Sequence, residues 1–133
     1  MASPSTTLHR YFIWANRMRT HFDQVAPTVP SPKGNIEAFL YMSYWYAGLH
    51  VVIEGWRELK LSDPIIDGLL QSPNVDLLRR YRNGAFHFQK DYIDKRFMEL
   101  IEDGVNPVRW VRELNEQFGR FFLEEGKPRQ PAK

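Results

Sequence analysis

The side chains best suited to phosphate chemistry gather in one stretch, Arg79-Arg80-Tyr81-Arg82-Asn83-Gly84-Ala85-Phe86-His87. A histidine can move protons near neutral pH. An arginine presents a planar fork that makes two parallel hydrogen bonds to phosphate oxygens, and it neutralises charge developing on them in a transition state. Asn83 stands four residues before His87, so on a helix the two side chains lie one above the other. There Asn83 can orient the imidazole or bind phosphate itself. Arg79 and Arg80 extend the positive charge beside Arg82, a cluster able to guide a polyanionic backbone and equally able to serve as an ordinary solvated helix face.

A second pair, His50 and Glu54, has the i, i+4 spacing that lets two side chains reach one metal ion. Two ligands do not make a site, and no second His/carboxylate pair of comparable spacing accompanies them. No metal is expected. The pair reads as a polar couple in or beside the core, with Glu54 available to an arginine such as Arg57 or Arg82. His9 and His21 have no partner pattern and read as solvent-exposed.

These residues need elements to position them, and the nine prolines mark where those elements break. Their spacing predicts helix one over about 5–25, a loop over about 26–35, helix two over about 35–60 and a short helical turn over 64–70. Ser72-Pro73 and Asn106-Pro107 each place a capping residue before a proline at the first helical position, and so open helix three and the last helix. Helix three either breaks near Gln89 or runs on through 91–102, and Gly104 closes it in both cases. Residues 126–133 form a frayed tail. Apolar residues recur at three and four, as in Val108, Val111, Leu114, Phe118 and Phe122, and no stretch alternates with period two.

The expected fold is therefore all-α, an antiparallel bundle of four to five helices in a single domain spanning 1–133. On a helical wheel of 73–92, Leu77, Leu78, Tyr81, Ala85, Phe88 and Tyr92 share the core arc. Asp76, Arg79, Arg80, Asn83, His87 and Lys90 share the opposite arc, so His87 points away from the chain's own core. The aromatic run Phe39, Tyr41, Tyr44, Trp45, Tyr46 and Trp56 covers nearly every side of helix two, as expected for a central helix or one that also meets a partner subunit, with core filling the default reading.

Composition narrows the classes. A chain of 133 residues, 43% hydrophobic and 26% charged, has the size and make-up of one globular domain. It contains no cysteine, which removes disulfide scaffolds, thiol chemistry and thiolate zinc sites. A net charge of +2 is too small to mark a nucleic-acid binder, although twelve arginines against six lysines favour phosphate contacts. The longest uncharged stretch, Ala38 to Ile53, is sixteen residues, too short to span a membrane, and reads as a buried core helix. The start MASPSTTLHR lacks the features of a secretory signal, so the expected location is the cytoplasm.

The string Arg82-Asn83-Gly84-Ala85-Phe86-His87 resembles the RNxxxH form of the Rx4-6H motif of HEPN domains, small all-α ribonuclease-type modules. Its setting is similar too, within one predicted helix, late in a bundle of about the right size and before one further long helix. The resemblance covers the architecture of the whole chain and the specific residues of this segment alone. It implies RNA cleavage without metal or other cofactor, in which the ribose 2′-hydroxyl attacks the adjacent phosphate. His87 would be the general acid/base, Arg82 would stabilise the phosphate charge, and Asn83 would orient His87 or bind phosphate, with Arg79 and Arg80 guiding the RNA.

HEPN domains typically pair so that two copies of the motif face each other, which implies a homodimer with one composite cleft. An ideal helix sets Arg82 and His87 about 140° apart, so one chain's pair converges poorly unless the helix distorts at Gly84. A second chain removes that difficulty. The family implies a toxin or an RNA-processing module, with a cognate antitoxin or regulatory protein as partner. The chain departs from the form that pairs with a nucleotidyltransferase, because Gln89 stands where that form has a tyrosine, Tyr92 being the nearest. Phe86 and Phe88 could stack on bases, with Phe88 expected to pack in the core instead. Two alternatives stand beside this reading. One is a non-catalytic scaffold bundle whose outward polar helix and aromatic surface bind a protein, and the other is a bundle holding a small ligand between its helices.

Overall fold

The structure, a computed structural model, describes residues 3–26, 32–91 and 94–125. Among the described residues there are six helices and no strand: α1 (Pro4–Val25), α2 (Pro32–Glu58), α3 (Pro64–Leu69), α4 (Asn74–Phe86), α5 (Lys95–Asp103) and α6 (Pro107–Glu125). The chain is an all-α helical bundle.

Local chemistry explains most of the starts. The Ser3 hydroxyl accepts from the Thr6 N–H ahead of α1, with Pro4 at the first helical position. Asp63 accepts from the N–H groups of Ile65 and Ile66 to open α3, again before a proline. Ser72 caps α4 by accepting the Asn74 N–H at 3.1 Å, so the regular helix begins at Asn74, one residue after Pro73. Pro107 starts α6 as its sequence neighbours imply, and Asn106 takes the left-handed conformation (φ 45°) at the junction.

Three expected boundaries change. Helix two starts at Pro32 and not near Asn35, because that proline serves as a first-turn residue; of the expected loop, residues 27–31 lie outside the described residues. Helix three does break, at His87, whose extended backbone (φ −111°, ψ 133°) leaves the helix. Asp94 then caps a separate α5 through the Arg96 N–H. With α3 and this break, the bundle has six helices where four to five were expected. The frayed tail, 126–133, lies outside the described residues.

Packing fixes the layout. On α1, Leu8 meets Gly55, Ala15 meets Gly48 and Phe22 meets Trp45, so α1 and α2 are antiparallel. A Cβ on Gly55 would fall 2.3 Å from Leu8 Cδ1 and one on Gly48 3.0 Å from Ala15 Cβ, which shows how closely the two helices approach. α6 also runs antiparallel to α1, with His9 stacked on Phe122 and Arg112 paired with Asp23. Trp45, Trp56, Leu49, Ile53, Leu114 and Phe118 fill the space between these three helices. Asn115 ties them together: its oxygen accepts from Trp45 Nε1 and its amide donates to Asn16, both at 3.0 Å. Val108 is exposed, outside the buried face of α6 formed by Trp110, Val111, Leu114, Asn115, Phe118 and Phe122. It sits in the first turn, two residues ahead of Trp110, whose indole reaches inward to the Leu69 carbonyl.

α4 and α5 form an antiparallel hairpin seated on α2. Tyr81 packs against Tyr46 and Phe97, and Gly84 lets the Phe97 ring approach to 3.5 Å of where a Cβ would stand. Asn74, fully buried, clamps the far end by bonding both the N–H and the carbonyl of Val105 at 2.8 Å. Gly104 closes α5 as expected, but with negative φ. Its need for glycine is a close approach, since a Cβ would sit 2.3 Å from the Leu100 carbonyl oxygen. No helix among the described residues is long and apolar enough to cross a membrane.

Candidate active site at the end of α4

Arg82, in the last turn but one of α4, reaches across to α2. Its Nη1 donates to Glu54 Oε1, and its Nη2 approaches its neighbour Asn83 Oδ1 at 3.4 Å. The same Glu54 oxygen meets Nδ1 of His50 at 3.1 Å. Of the two arginines open to Glu54 on sequence grounds, Arg82 is therefore the partner, while Arg57 donates to the Leu70 carbonyl. His50 is only 4% exposed. Burial pushes its imidazole below the ordinary value, and the Arg82 charge adds to this; Glu54 pulls the other way without prevailing, and Arg79 adds a smaller downward push. A neutral His50 facing a carboxylate donates from Nδ1, because the carboxylate can only accept. With a guanidinium as the third member, the His50–Glu54 pair is a poor cation site, and no group of three or more His, Asp or Glu gathers among the described residues.

The neighbouring arginines are also engaged. Arg80 grips Glu99 on α5 with two bonds, 2.5 and 3.0 Å, and holds that carboxyl below the usual range. Arg79 pairs with Asp76 at 2.9 Å on the exposed face. The cluster is thus divided: Arg80 fastens α4 to α5, Arg82 fastens α4 to α2, and Arg79 faces solvent.

His87 is the first residue past α4, with its backbone N–H still bonded to the Asn83 carbonyl at 3.1 Å. Its carbonyl accepts from Gln89 Nε2 at 3.0 Å. The imidazole is exposed and makes no hydrogen bond or ring contact among the described residues. It lines a groove of about 500 Å³ together with Ile36, Leu40, Tyr44, Phe86 and Phe88. Tyr44 and Phe86 pack ring to ring at 5.6 Å with half of each side chain exposed.

Phe88 is 93% exposed, against the expectation that it packs in the core. The helical period that placed it there stops two residues earlier, so its side chain leaves the arc shared by the buried Leu78 and Tyr81 and the half-buried Leu77 and Ala85. Tyr92, expected on the same arc, lies outside the described residues. His9 and His21 are half-buried rather than exposed, stacked on Phe122 and Tyr41 at 5.0 and 5.1 Å.

The structure brings Arg82 and Asn83 together and adds Glu54 and His50 to them. No bond joins Arg82 to His87 among the described residues, and no distortion at Gly84 brings them together, because α4 stays regular through that residue. The groove beside His87 went unforeseen, since Tyr44 counted as part of a core-filling aromatic run. Its only sequence signal was the density of rings at 39–46 and 86–88. Comparisons with family models, with curated proteins and with solved structures found no match.

Proposed function

We propose that the chain is a HEPN-like, metal-independent endoribonuclease that acts as a homodimer, in a toxin or RNA-processing role. The observation that carries this reading is the exposed, unengaged imidazole of His87 on the rim of a groove whose rings, Tyr44, Phe86 and Phe88, suit stacking by unpaired bases. In the reaction the ribose 2′-oxygen attacks the adjacent phosphorus and the bond from phosphorus to the 5′-oxygen breaks. A base removes the 2′-hydroxyl proton and an acid supplies one to the departing oxygen. Two copies of His87 across a two-fold axis meet both needs, and Arg82 of either copy neutralises the phosphate oxygens. The lack of any bond between Arg82 and His87 of one chain favours this shared cleft, as does the outward face of α4.

The test is incubation with labelled RNA in chelator beside His87→Ala and Arg82→Ala. Chelator-resistant cleavage lost in both variants supports the reading. Sedimentation showing only monomer at micromolar concentration removes the dimer.

A second reading has its own observation: on α1, Tyr11, Ile13 and Trp14 are exposed, with the Arg10 guanidinium 4.8 Å from the Trp14 ring. Such a surface suits a protein partner of a non-catalytic scaffold. Absence of cleavage of any RNA favours it.

A further inference from the structure

We infer that Glu54, braced by the buried His50, is a positioning residue for Arg82, an assignment that rests on the RNA-cleavage reading above. Two side chains from two helices, the His50 imidazole of α2 and the Arg82 guanidinium of α4, converge here on a single carboxylate oxygen, Oε1 of Glu54, with His50 Nδ1 at 3.1 Å and Arg82 Nη1 donating to it. Arginine carries a long, rotamer-rich stem whose fork gains affinity for phosphate when its orientation is fixed beforehand. Glu54 holds one corner of that fork, and the Asn83 oxygen lies near a second. The Nε–H makes no hydrogen bond among the described residues and is left to a phosphate. Arg82 keeps a quarter of its side chain open to solvent, which leaves the fork reachable.

His50 explains why the carboxylate stays in place. A histidine this deeply buried needs a partner for its N–H, and Glu54, one turn further along α2, supplies it. The charged groups facing His50 are Glu54 from its own helix and Arg82 and Arg79 from α4. While His50 is neutral, Glu54 gives its full negative charge to Arg82. A protonated His50 would set a second cation against the same oxygen and beside Arg82, loosening the guanidinium. The hold on Arg82 therefore weakens as pH falls below the ordinary imidazole range, and through a residue that never touches RNA.

The experiment measures kcat, KM and melting temperature on a single labelled RNA for wild type, Glu54→Gln, Glu54→Asp and His50→Gln across pH. The expected result for Glu54→Gln is a fall in kcat of about tenfold or more with KM within about twofold, partly recovered by Glu54→Asp, which restores the charge. His50→Gln keeps a donor but takes no proton, so the acid-side fall in kcat shifts relative to wild type. Wild-type kcat in Glu54→Gln overturns the assignment. So does a loss that follows melting temperature alone, with Glu54→Asp no better than Glu54→Gln, and an acid limb identical in His50→Gln removes the part given to His50. Failure of the underlying reading looks different: wild type itself is inert on RNA, and Arg82→Ala and His87→Ala are indistinguishable from it.

Discussion

The junction of α1, α2 and α6 and the end of α4 use the same residue types in opposite ways. At the junction, aromatic and amide side chains are enclosed and paired: Trp56 is 1% exposed and donates to Asp67 at 3.0 Å, and Asn115 joins Trp45 to Asn16. At the end of α4, Phe86, His87 and Phe88 stand in solvent, and neither the imidazole nor the Phe88 ring has a partner among the described residues. Enclosed rings contribute to stability through burial and packing. Exposed rings beside an unpartnered imidazole contribute little to stability and leave their faces open. Residue type alone does not separate the two; where a helix ends does.

Substitutions test that contrast directly. Trp56→Ala at the junction is expected to cost about 3–5 kcal/mol in denaturant unfolding. A cost below 1 kcal/mol would show that the junction is not the centre of the core. Asn74→Ala is expected to cost about 1–3 kcal/mol, because it orphans both the N–H and the carbonyl of Val105. The same assay reads it, and an unchanged midpoint would mean that water replaces the clamp.

A smaller effect follows from His50. Its imidazole is pushed below 6.5 in the folded chain, so below that pH the unfolded chain binds a proton that the folded one refuses. Stability from this group is complete above pH 6.5 and declines as pH falls from there through the folded value. His50→Gln should flatten the unfolding midpoint across that window. A decline confined to the carboxylate range, where the depressed Asp23 and Glu99 titrate, would assign the loss to them instead. Smallest of all, His87→Ala and Phe88→Ala are expected to change stability by no more than about 0.5 kcal/mol. If Phe88→Ala cost as much as Trp56→Ala, the contrast between the two regions would collapse.

The starts of α4 and α6 were legible because their signals are local, Ser72-Pro73 and Asn106-Pro107, and the Ser72 hydroxyl does cap α4. The stop after Phe86 was legible only as one of two alternatives, a break near Gln89 or a helix running on, because Phe88 and Tyr92 continue the helical period that Leu78, Tyr81 and Ala85 begin. Past the stop the chain returns as α5, and Phe97 seats over Gly84 and beside Tyr81, contacts between residues distant in sequence. The same limit applies to charge. Glu54 was open to Arg57 or Arg82, and only the placement of α4 on α2 selects Arg82. Arg79, Arg80 and Arg82 looked like one basic cluster, yet each meets a different carboxylate, on α4, α5 and α2 in turn. Of the motif itself, the outward direction of His87 was readable, while its release from the helix was not.

The most direct measurement of the central claim is the chemistry of the RNA ends left after incubation in chelator. Attack by the 2′-hydroxyl predicts a 2′,3′-cyclic phosphate on one fragment and a 5′-hydroxyl on the other, with no product from His87→Ala or from RNA bearing a 2′-deoxy sugar at the scissile position. Fragments with 5′-phosphate ends, cleavage that survives His87→Ala, or no cleavage at all would contradict it.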